Sequence, residues 1–191
     1  MSTPRQTEIV ETALNLINEN GIQGLTIKNL SKKIGISEPA IYRHFENKIE
    51  ILLAVLDTFG RLLSDIKFDV EKEKNSMSKI KVLFTAFFKS FNENPSLVAV
   101  IFSEELFRNE QQLSEKTAEV INRNIQYLAQ IIKEGVQQDE IRKDIPAEHL
   151  AIMVMGSLRL YVKKWQFSNY EFNLNIEGEK LIQSVITLLS K

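Results

Sequence analysis

The chain has 191 residues, of which 43% are hydrophobic and 26% charged, and its formal net charge is −1. This length allows one large core or a small domain joined to a larger one. The 7 Gly, the 4 Pro and the scarcity of Val- and Thr-rich alternation favour an all-α protein. Because the chain has no Cys, disulfides, thiolate nucleophiles and Cys-based zinc sites are excluded.

The first predicted element is a helix that begins after Thr3. Thr3 is a good N-cap, Pro4 fits the first helical position, and Gln6 completes a capping box. The pair Asn20-Gly21 predicts the end of this helix. Apolar residues at helical spacing mark its buried face: Ile9, Val10, Ala13, Leu16 and Ile17.

Residues 26–45 predict two short helices joined by a tight turn. Thr26 and Ser37 are candidate N-caps. Gly35 stands where a helix end favours a left-handed residue. Pro39 lies in the first turn of the second helix, where its missing N–H costs little. This order of elements is the helix-turn-helix pattern.

The second helix of this pair has two different sides. At about 100° per residue, Ile41 and Phe45 fall together and face the first helix. The opposite side is small and polar, which suits a recognition helix in a DNA major groove. Pro39, Ala40 and Arg43 point outward, and Tyr42 and His44 flank them. An Arg can reach a guanine edge or a phosphate, and flanking Tyr and His can bond to phosphate oxygens. A structural helix pair with an incidental surface is the alternative on spacing alone.

The stretch resembles the DNA-binding motif of the tetracycline-repressor-like (TetR) family of bacterial transcription regulators. The resemblance covers about residues 3–63. Its matching residues are Thr26, Leu30, Gly35-Ile36-Ser37, Ile41-Tyr42-Arg43-His44-Phe45 and Lys48. It implies phosphate contacts by Thr26, Tyr42, His44 and Lys48, and base contacts by positions 38–40 and 43.

Two positions depart from the family pattern. Glu38 stands where the family often has a basic or small polar residue, and Pro39 where it often has Gly. Base preference is therefore not carried over. The candidate DNA-binding residues are Thr26, Lys28, Ser37, Glu38, Pro39, Ala40, Tyr42, Arg43, His44 and Lys48.

The charge near this motif is nearly balanced. Residues 1–48 carry six Lys and Arg against five Glu, which leaves +1. DNA affinity must then come from the local placement of charges, and we expect dimerisation to matter.

We predict an all-α fold of about nine helices, with a helix-turn-helix domain at 1–48 and a regulatory and dimerisation domain at 49–191. A charged stretch from Asp69 to Asn75 predicts solvated surface, and Gln166 to Asn175 predicts a loop. The predicted helices of the second domain run from Asn47 toward Val70, from Met77 to Asn94, over Leu97–Phe107 and Ser114–Gln138, from Pro146 onward, and over Ile176–Leu189. For Ser114–Gln138 the spacing predicts a core face of Ile121, Ile125, Leu128, Ile132 and Val136.

Aromatic residues are frequent in these helices. The family places a small-molecule pocket among helices of this kind, and apolar walls suit such a site. The alternative is that each ring merely fills a core. In the family the last two long helices pair with their copies in a second subunit, which implies a homodimer. The candidate ligand-binding residues are Phe84, Phe87, Phe88, Phe91, Phe102, Phe107, Tyr127, Tyr161 and Trp165.

The sequence carries no recognisable catalytic motif. Its only His residues are His44 and His149, too few for most zinc sites. We expect no enzyme activity, cofactor or metal, and no signal peptide or membrane span, consistent with a cytoplasmic protein. The predicted function is a repressor that binds a palindromic operator as a dimer and is released by a small apolar or amphipathic ligand. The alternatives are a helix-turn-helix protein that acts mainly through a protein partner, and an enzyme that reuses a helical bundle.

Overall fold

A computed structural model of the protein describes residues 3–103 and 110–191. These residues form nine α-helices, and none of them lies in a β-strand. The helices are α1 (Pro4–Gly24), α2 (Ile27–Ile34), α3 (Glu38–Tyr42), α4 (Lys48–Glu71), α5 (Ser76–Glu93), α6 (Pro95–Ile101), α7 (Gln111–Gln137), α8 (Ala147–Phe167) and α9 (Leu174–Leu189). The all-α prediction is confirmed.

The described residues divide into two compact units. The first takes its residues from 1–60 and 94–118, and the second from 61–93 and 119–191. Helices α4 and α7 each contribute residues to both units. The predicted domain division at residue 48 stays a prediction. The compact units are divided differently, because the first one contains α6 together with α1, α2 and α3.

Helix α1 begins as its sequence predicts, but it continues past the predicted end at Asn20-Gly21 to Gly24. The Thr3 hydroxyl accepts from the Gln6 N–H at 3.2 Å, and the Gln6 side chain accepts from the Thr3 N–H at 2.9 Å. At Gly21 the backbone turns to φ 67°, a left-handed value that interrupts the helix before one further turn. The five apolar residues predicted for its inner face are all buried. Helix α6 packs against α1 within the first unit.

Helix α6 differs from its prediction. Pro95 does not only end α5; it is the first residue of α6, where its fixed φ is favourable. The helix ends at Ile101, and Phe102 follows as its C-cap, so the predicted extent to Phe107 is wrong for Phe102 and Ser103. Phe107 itself lies outside the described residues.

Helices α7, α8 and α9 keep their predicted order with shifted details. Of the predicted inner face of α7, Leu128 and Ile132 are buried as predicted, whereas Ile121, Ile125 and Val136 are only half-buried. Val120, Tyr127 and Ile131 are buried in addition. The inner face therefore lies one residue toward the N-terminus of the prediction. The loop between α8 and α9 is shorter than predicted because α8 continues to Phe167 and Asn173 caps α9.

The core of the second unit is aromatic. Phe84, Phe87, Phe88 and Phe91 are all buried on α5. Helix α9 approaches α5 closely at Gly178, where a Cβ atom would lie 2.5 Å from a ring carbon of Phe88. A larger residue at this point would force the two helices apart.

In the described parts of the chain, no helix is long and apolar enough to cross a membrane. Nor do three or more His, Asp or Glu residues gather there in a way that would hold a metal ion.

Candidate functional site

Helix α2 is fixed at both ends by the residues that the sequence singled out. The Thr26 hydroxyl accepts from the Asn29 N–H at 3.1 Å, which satisfies one free donor of the first turn. Gly35 adopts φ 81° and ψ 30°, and the N–H groups of Gly35 and Ile36 both donate to the Ser31 carbonyl, at 2.9 and 3.0 Å. The turn therefore directs the chain into α3 with a defined geometry.

Helix α3 has five residues and depends on one buried side chain, Ile41, which has no exposed area. Ser37 occupies the N-cap position but its hydroxyl makes no capping bond, so the predicted side-chain cap is wrong. Pro39 supplies no N–H at N2, which leaves the N–H of Ala40 at N3 as the remaining donor for a cap. The N–H of Ala40 donates to the Ser37 carbonyl instead, at 2.9 Å.

The opposite side of α3 is open to solvent. Tyr42 is 50% exposed, and Glu38, Pro39 and Arg43 are also exposed. Ala40 and His44 are half-buried at its margins. Because the backbone N–H groups of His44 and Phe45 still donate to the Ile41 carbonyl, the helical course continues through Arg43. The predicted outward positions thus share one surface.

The predicted phosphate contacts of α2 and α4 lie in different surroundings. Thr26 and Lys28 are exposed. Lys48 is half-buried, and its ammonium donates to the Ile22 carbonyl at 3.0 Å. Partial burial lowers the pKa of Lys48 from its ordinary value. One of its three donors thus already stabilises the turn after Gly21, and its predicted phosphate contact needs the other two.

The start of α4 is strongly capped, which holds Lys48 at the first helical position. The Asn47 side chain accepts from the Glu50 N–H at 3.0 Å. The Glu50 carboxylate reaches one residue further back than a standard capping box and accepts from the Glu46 N–H at 2.7 Å.

Some cations of the first unit are paired with carboxylates and others are not. Arg5 and Lys33 are paired with Glu8 and Glu19, both at 2.5 Å. Among the described residues, Lys28, Lys32 and Arg43 form no ion pair. These three cations remain available for phosphate groups.

The predicted ligand-binding rings fall into different parts of the molecule. Tyr127, Trp165 and the four Phe residues of α5 are buried in the second unit, and Tyr161 is half-buried there. Phe84 and Phe88 meet edge to face at 6.3 Å between ring centres, and Phe88 and Tyr161 at 6.4 Å. Phe102 belongs to the first unit.

A shallow cavity of about 210 Å³ touches one of these rings. Phe88 and Ile182 supply its apolar floor, and the other lining residues are polar: Thr85, Lys89, Asn92, Glu93 and Asn175. It is a surface groove between α5 and α9, not an enclosed apolar chamber.

The sequence reasoning missed a polar network in the second unit. The Tyr127 hydroxyl donates to Glu71 Oε1 at 2.9 Å. The Lys79 ammonium lies 3.4 Å from Glu71 Oε2 and 2.9 Å from Glu134 Oε2. Apart from the buried Val70, residues 69–75 lie at the surface as predicted, and Glu71 joins this network from that surface. A Tyr on the inner face of α7 is the sequence signal that a polar partner lies nearby, since a buried hydroxyl requires one.

Comparison with known proteins gives one consistent fold and family. A curated relative, the fatty acid metabolism regulator protein of Bacillus subtilis (strain 168), is 24% identical over 185 residues, which span 96% of this chain and 95% of that protein. The fatty acid degradation regulator FadR of Bacillus halodurans superposes with a TM-score of 0.87 at 21% identity, over 97% of this chain and 96% of that one. FadR of Bacillus subtilis in complex with stearoyl-CoA superposes with a TM-score of 0.83 at 20% identity, over 96% and 98%.

Two family descriptions match successive parts of the chain. Residues 9–55 match the bacterial regulatory proteins of the tetR family, and residues 56–190 match the YsiA-like protein, C-terminal region. The first match contains all of α2 and α3 and the start of α4. The chain therefore belongs to the TetR family of DNA-binding transcription regulators, as its helix-turn-helix residues predict, and it is not an enzyme.

Proposed function

We propose that the protein is a homodimeric repressor that binds a palindromic operator through α3 and is released by an apolar or amphipathic ligand. The observation that carries this proposal is the solvent-facing side of α3, where Pro39, Tyr42 and Arg43 are exposed around a fully buried Ile41. A helix supported from behind in this way presents a rigid surface to a major groove. Arg43 is the candidate base reader, and Tyr42 and His44 are the candidate phosphate contacts.

The proposed dimer rests on an exposed apolar surface of α8. Met153 and Leu160 are 60% and 72% exposed, and Ile152 and Phe167 lie on the same side. Gly156 lies between them, and beyond its chain neighbours and its own helix backbone no described atom is within 4 Å of the position its Cβ would take. A second α8 can approach closely there and cover the apolar side chains. On α9, Ile176 and Leu188 are exposed as well. Two subunits would also double the few cations available for DNA.

The proposed ligand is apolar or amphipathic because the second unit has an aromatic core. Phe84, Phe88 and Tyr161 form a connected set of rings in it. The FadR structure with stearoyl-CoA has the same fold, which makes a long-chain acyl-CoA the first ligand to test. A ligand that binds one packing of these helices better than another shifts the protein by that difference in affinity.

The test is operator binding by the purified protein, measured by fluorescence anisotropy on DNA from upstream of its own gene. We expect tight binding to a palindrome, loss of affinity as salt rises, and release by stearoyl-CoA but not by free coenzyme A. Binding to a partner protein together with salt-independent or absent DNA binding would favour the alternative function instead.

A variant separates the ligand response from DNA binding. Phe88→Leu replaces a buried ring with a smaller apolar side chain. The fold should survive with a loss of about 1–2 kcal/mol in the free energy of unfolding. We expect the ligand concentration for half-release to change at least several-fold, and the operator Kd without ligand to stay within about twofold. Equal effects on both quantities would contradict a ligand site at Phe88.

A further inference from the structure

The part of α7 that belongs to the second unit carries a buried polar side chain with an unpaired atom. Asn124 is only 5% exposed. Its Oδ1 atom is buried, and no described residue donates a hydrogen bond to it. Leaving a buried acceptor unpaired is costly, because the atom has lost its hydrogen bonds to water without a replacement. Native proteins keep few such atoms, so the presence of this one needs a reason.

Helical spacing directs the Asn124 side chain to the inner side of α7. Val120 precedes it by four residues and Leu128 follows it by four, and both are buried. Residues four positions apart share one side of a helix. The amide of Asn124 therefore lies on the same side as these apolar residues. In such surroundings a single hydrogen bond to a ligand group is strong, because water does not compete for it.

A second polar group on this side of α7 has its partner within the protein. Tyr127 lies three residues after Asn124, and its hydroxyl donates to Glu71 Oε1 at 2.9 Å. A polar residue that only serves the fold is paired in this way. Asn124 lacks such a partner at Oδ1, so its amide lowers the stability of the ligand-free protein. Local rules of folding are broken in this way mainly at functional sites.

We propose that Asn124 determines which ligands the second unit accepts: its Oδ1 takes a hydrogen bond from an amide N–H or a hydroxyl of the ligand. This inference rests on the proposed function and specifies the chemistry of the releasing ligand. A carbonyl oxygen offers lone pairs and no proton, so only a donor can pair with it. An analogue without the donor leaves Oδ1 unpaired and is rejected for that reason. The ligand is therefore an apolar or amphipathic molecule with an N–H or O–H group in its buried part.

Two probes with the same hydrocarbon chain separate a ligand with a donor from a ligand without one. N-methyldodecanamide has one N–H donor, and methyl dodecanoate has none. Their affinities for the protein without DNA are measured by isothermal titration calorimetry, with stearoyl-CoA as the reference ligand. For the parent we expect the amide to bind at least tenfold more tightly than the ester. Because DNA is absent, this result does not depend on any operator.

Substitutions of Asn124 test whether this preference comes from its amide. Asn124→Leu keeps a side chain of similar size and removes the acceptor, and Asn124→Ala removes the acceptor without adding bulk. In both variants the preference for the amide probe should fall to about twofold or less. The melting temperature of ligand-free Asn124→Leu should rise by about 2 °C or more, because an unpaired polar atom has been removed.

Thr117→Val is the matched control on the same helix. Thr117 is also 5% exposed, and its hydroxyl oxygen has no partner among the described residues, but it belongs to the first unit. Its substitution likewise removes an unpaired buried oxygen from α7. The tenfold preference for the amide probe should persist in this variant, so a loss in the Asn124 variants alone reports the ligand contact.

Equal affinity of the parent for the amide and the ester would overturn the proposal, as would a preference that persists in both Asn124 variants. Either result leaves the proposed function intact, because a ligand without a donor can still release the operator. A parent that binds none of the three compounds ends the proposed ligand response, and the role of Asn124 with it. Operator titration of the same preparation shows separately whether the protein binds DNA.

Discussion

Helices α3 and α8 both leave one side uncovered, and the two sides differ in chemistry. On α3 the apolar residue Ile41 is fully buried and the open side carries Arg43 and the Tyr42 hydroxyl. On α8 the open side carries apolar residues such as Met153 and Leu160. An open polar side can remain hydrated until a charged partner replaces the water, whereas a contiguous apolar side favours a partner that excludes water. This difference is the reason why we propose DNA as the partner of α3 and a second protein chain as the partner of α8.

The strongest test of this assignment is a charge on the apolar side of α8. Leu160→Glu would place an unpaired carboxylate in the proposed dimer contact, which costs several kcal/mol. We expect the dimer to weaken by about 100-fold or more, measured by analytical ultracentrifugation. Operator affinity should fall with it, while each subunit stays folded by circular dichroism.

Gln126→Glu is the control for that variant, since it adds the same charge at an exposed position of α7. It should leave the dimer intact. If the Leu160→Glu protein remains fully dimeric, α8 is not part of the dimer interface and the proposed protein partner of α8 is wrong.

The next largest effect is expected on the polar side of α3. Arg43→Ala should weaken operator binding by about 10-fold or more and relax base preference at one position of each half-site, because a bidentate base contact contributes about 1–3 kcal/mol. Tyr42→Ala should weaken binding to every sequence to a similar extent. Both effects are measured as Kd on operator and scrambled DNA.

Lys33→Ala is the matched control in the first unit. Lys33 lies on α2 but is paired with Glu19, so its loss removes a surface ion pair and no candidate DNA contact. Arg43→Ala and Tyr42→Ala proteins that bind DNA as tightly as Lys33→Ala would show that α3 does not face the groove.

A smaller effect is expected at the half-buried Lys48. Lys48→Met removes the bond to the Ile22 carbonyl, with a loss of about 1 kcal/mol of stability. If its other donors contact phosphate, the salt dependence of operator binding also falls by about one phosphate per subunit. A reduced melting temperature with an unchanged salt slope would make Lys48 a structural residue only.

The smallest effect is expected at Pro39. Pro39→Gly restores an N–H at N2 and should fold normally, with a stability loss of about 0.5–1 kcal/mol from the more flexible unfolded chain. If the ring lies against DNA, operator affinity or preference should change by about two- to threefold. A collapse in melting temperature with unchanged DNA binding would make Pro39 purely structural.

The sequence predicted the first unit in more detail than the second because its signals are local. Thr3, Thr26 and Gly35 each act on backbone groups within five residues, and all three have the predicted geometry. The predicted Ser37 side-chain cap is wrong, and the N–H of Ala40 donates to the Ser37 carbonyl instead. Helix ends of this kind can be predicted from the order of residues because the groups that bond are close together in sequence.

The misplaced features of the second unit depend on contacts distant in sequence. The bond from Tyr127 to Glu71 joins residues 56 positions apart, and no local pattern specifies it. The predicted inner face of α7 differs from the observed one because Val120 and Tyr127 are buried, whereas Ile121 and Ile125 are only half-buried. The candidate DNA-binding and ligand-binding roles of individual residues stay predictions.

A five-residue helix cannot persist alone in water, because a single turn fixes many dihedral angles for very few hydrogen bonds. The proposed DNA-reading surface therefore forms only when Ile41 is packed against the rest of the first unit. A synthetic peptide of residues 26–45 should be unstructured and should neither bind the operator nor compete with the protein for it. Substitutions on the outer side of α3, in contrast, touch no core contact. Variants that recognise new operator sequences should therefore be obtainable by changing Glu38, Pro39 and Arg43 with a stability loss of no more than about 1 kcal/mol.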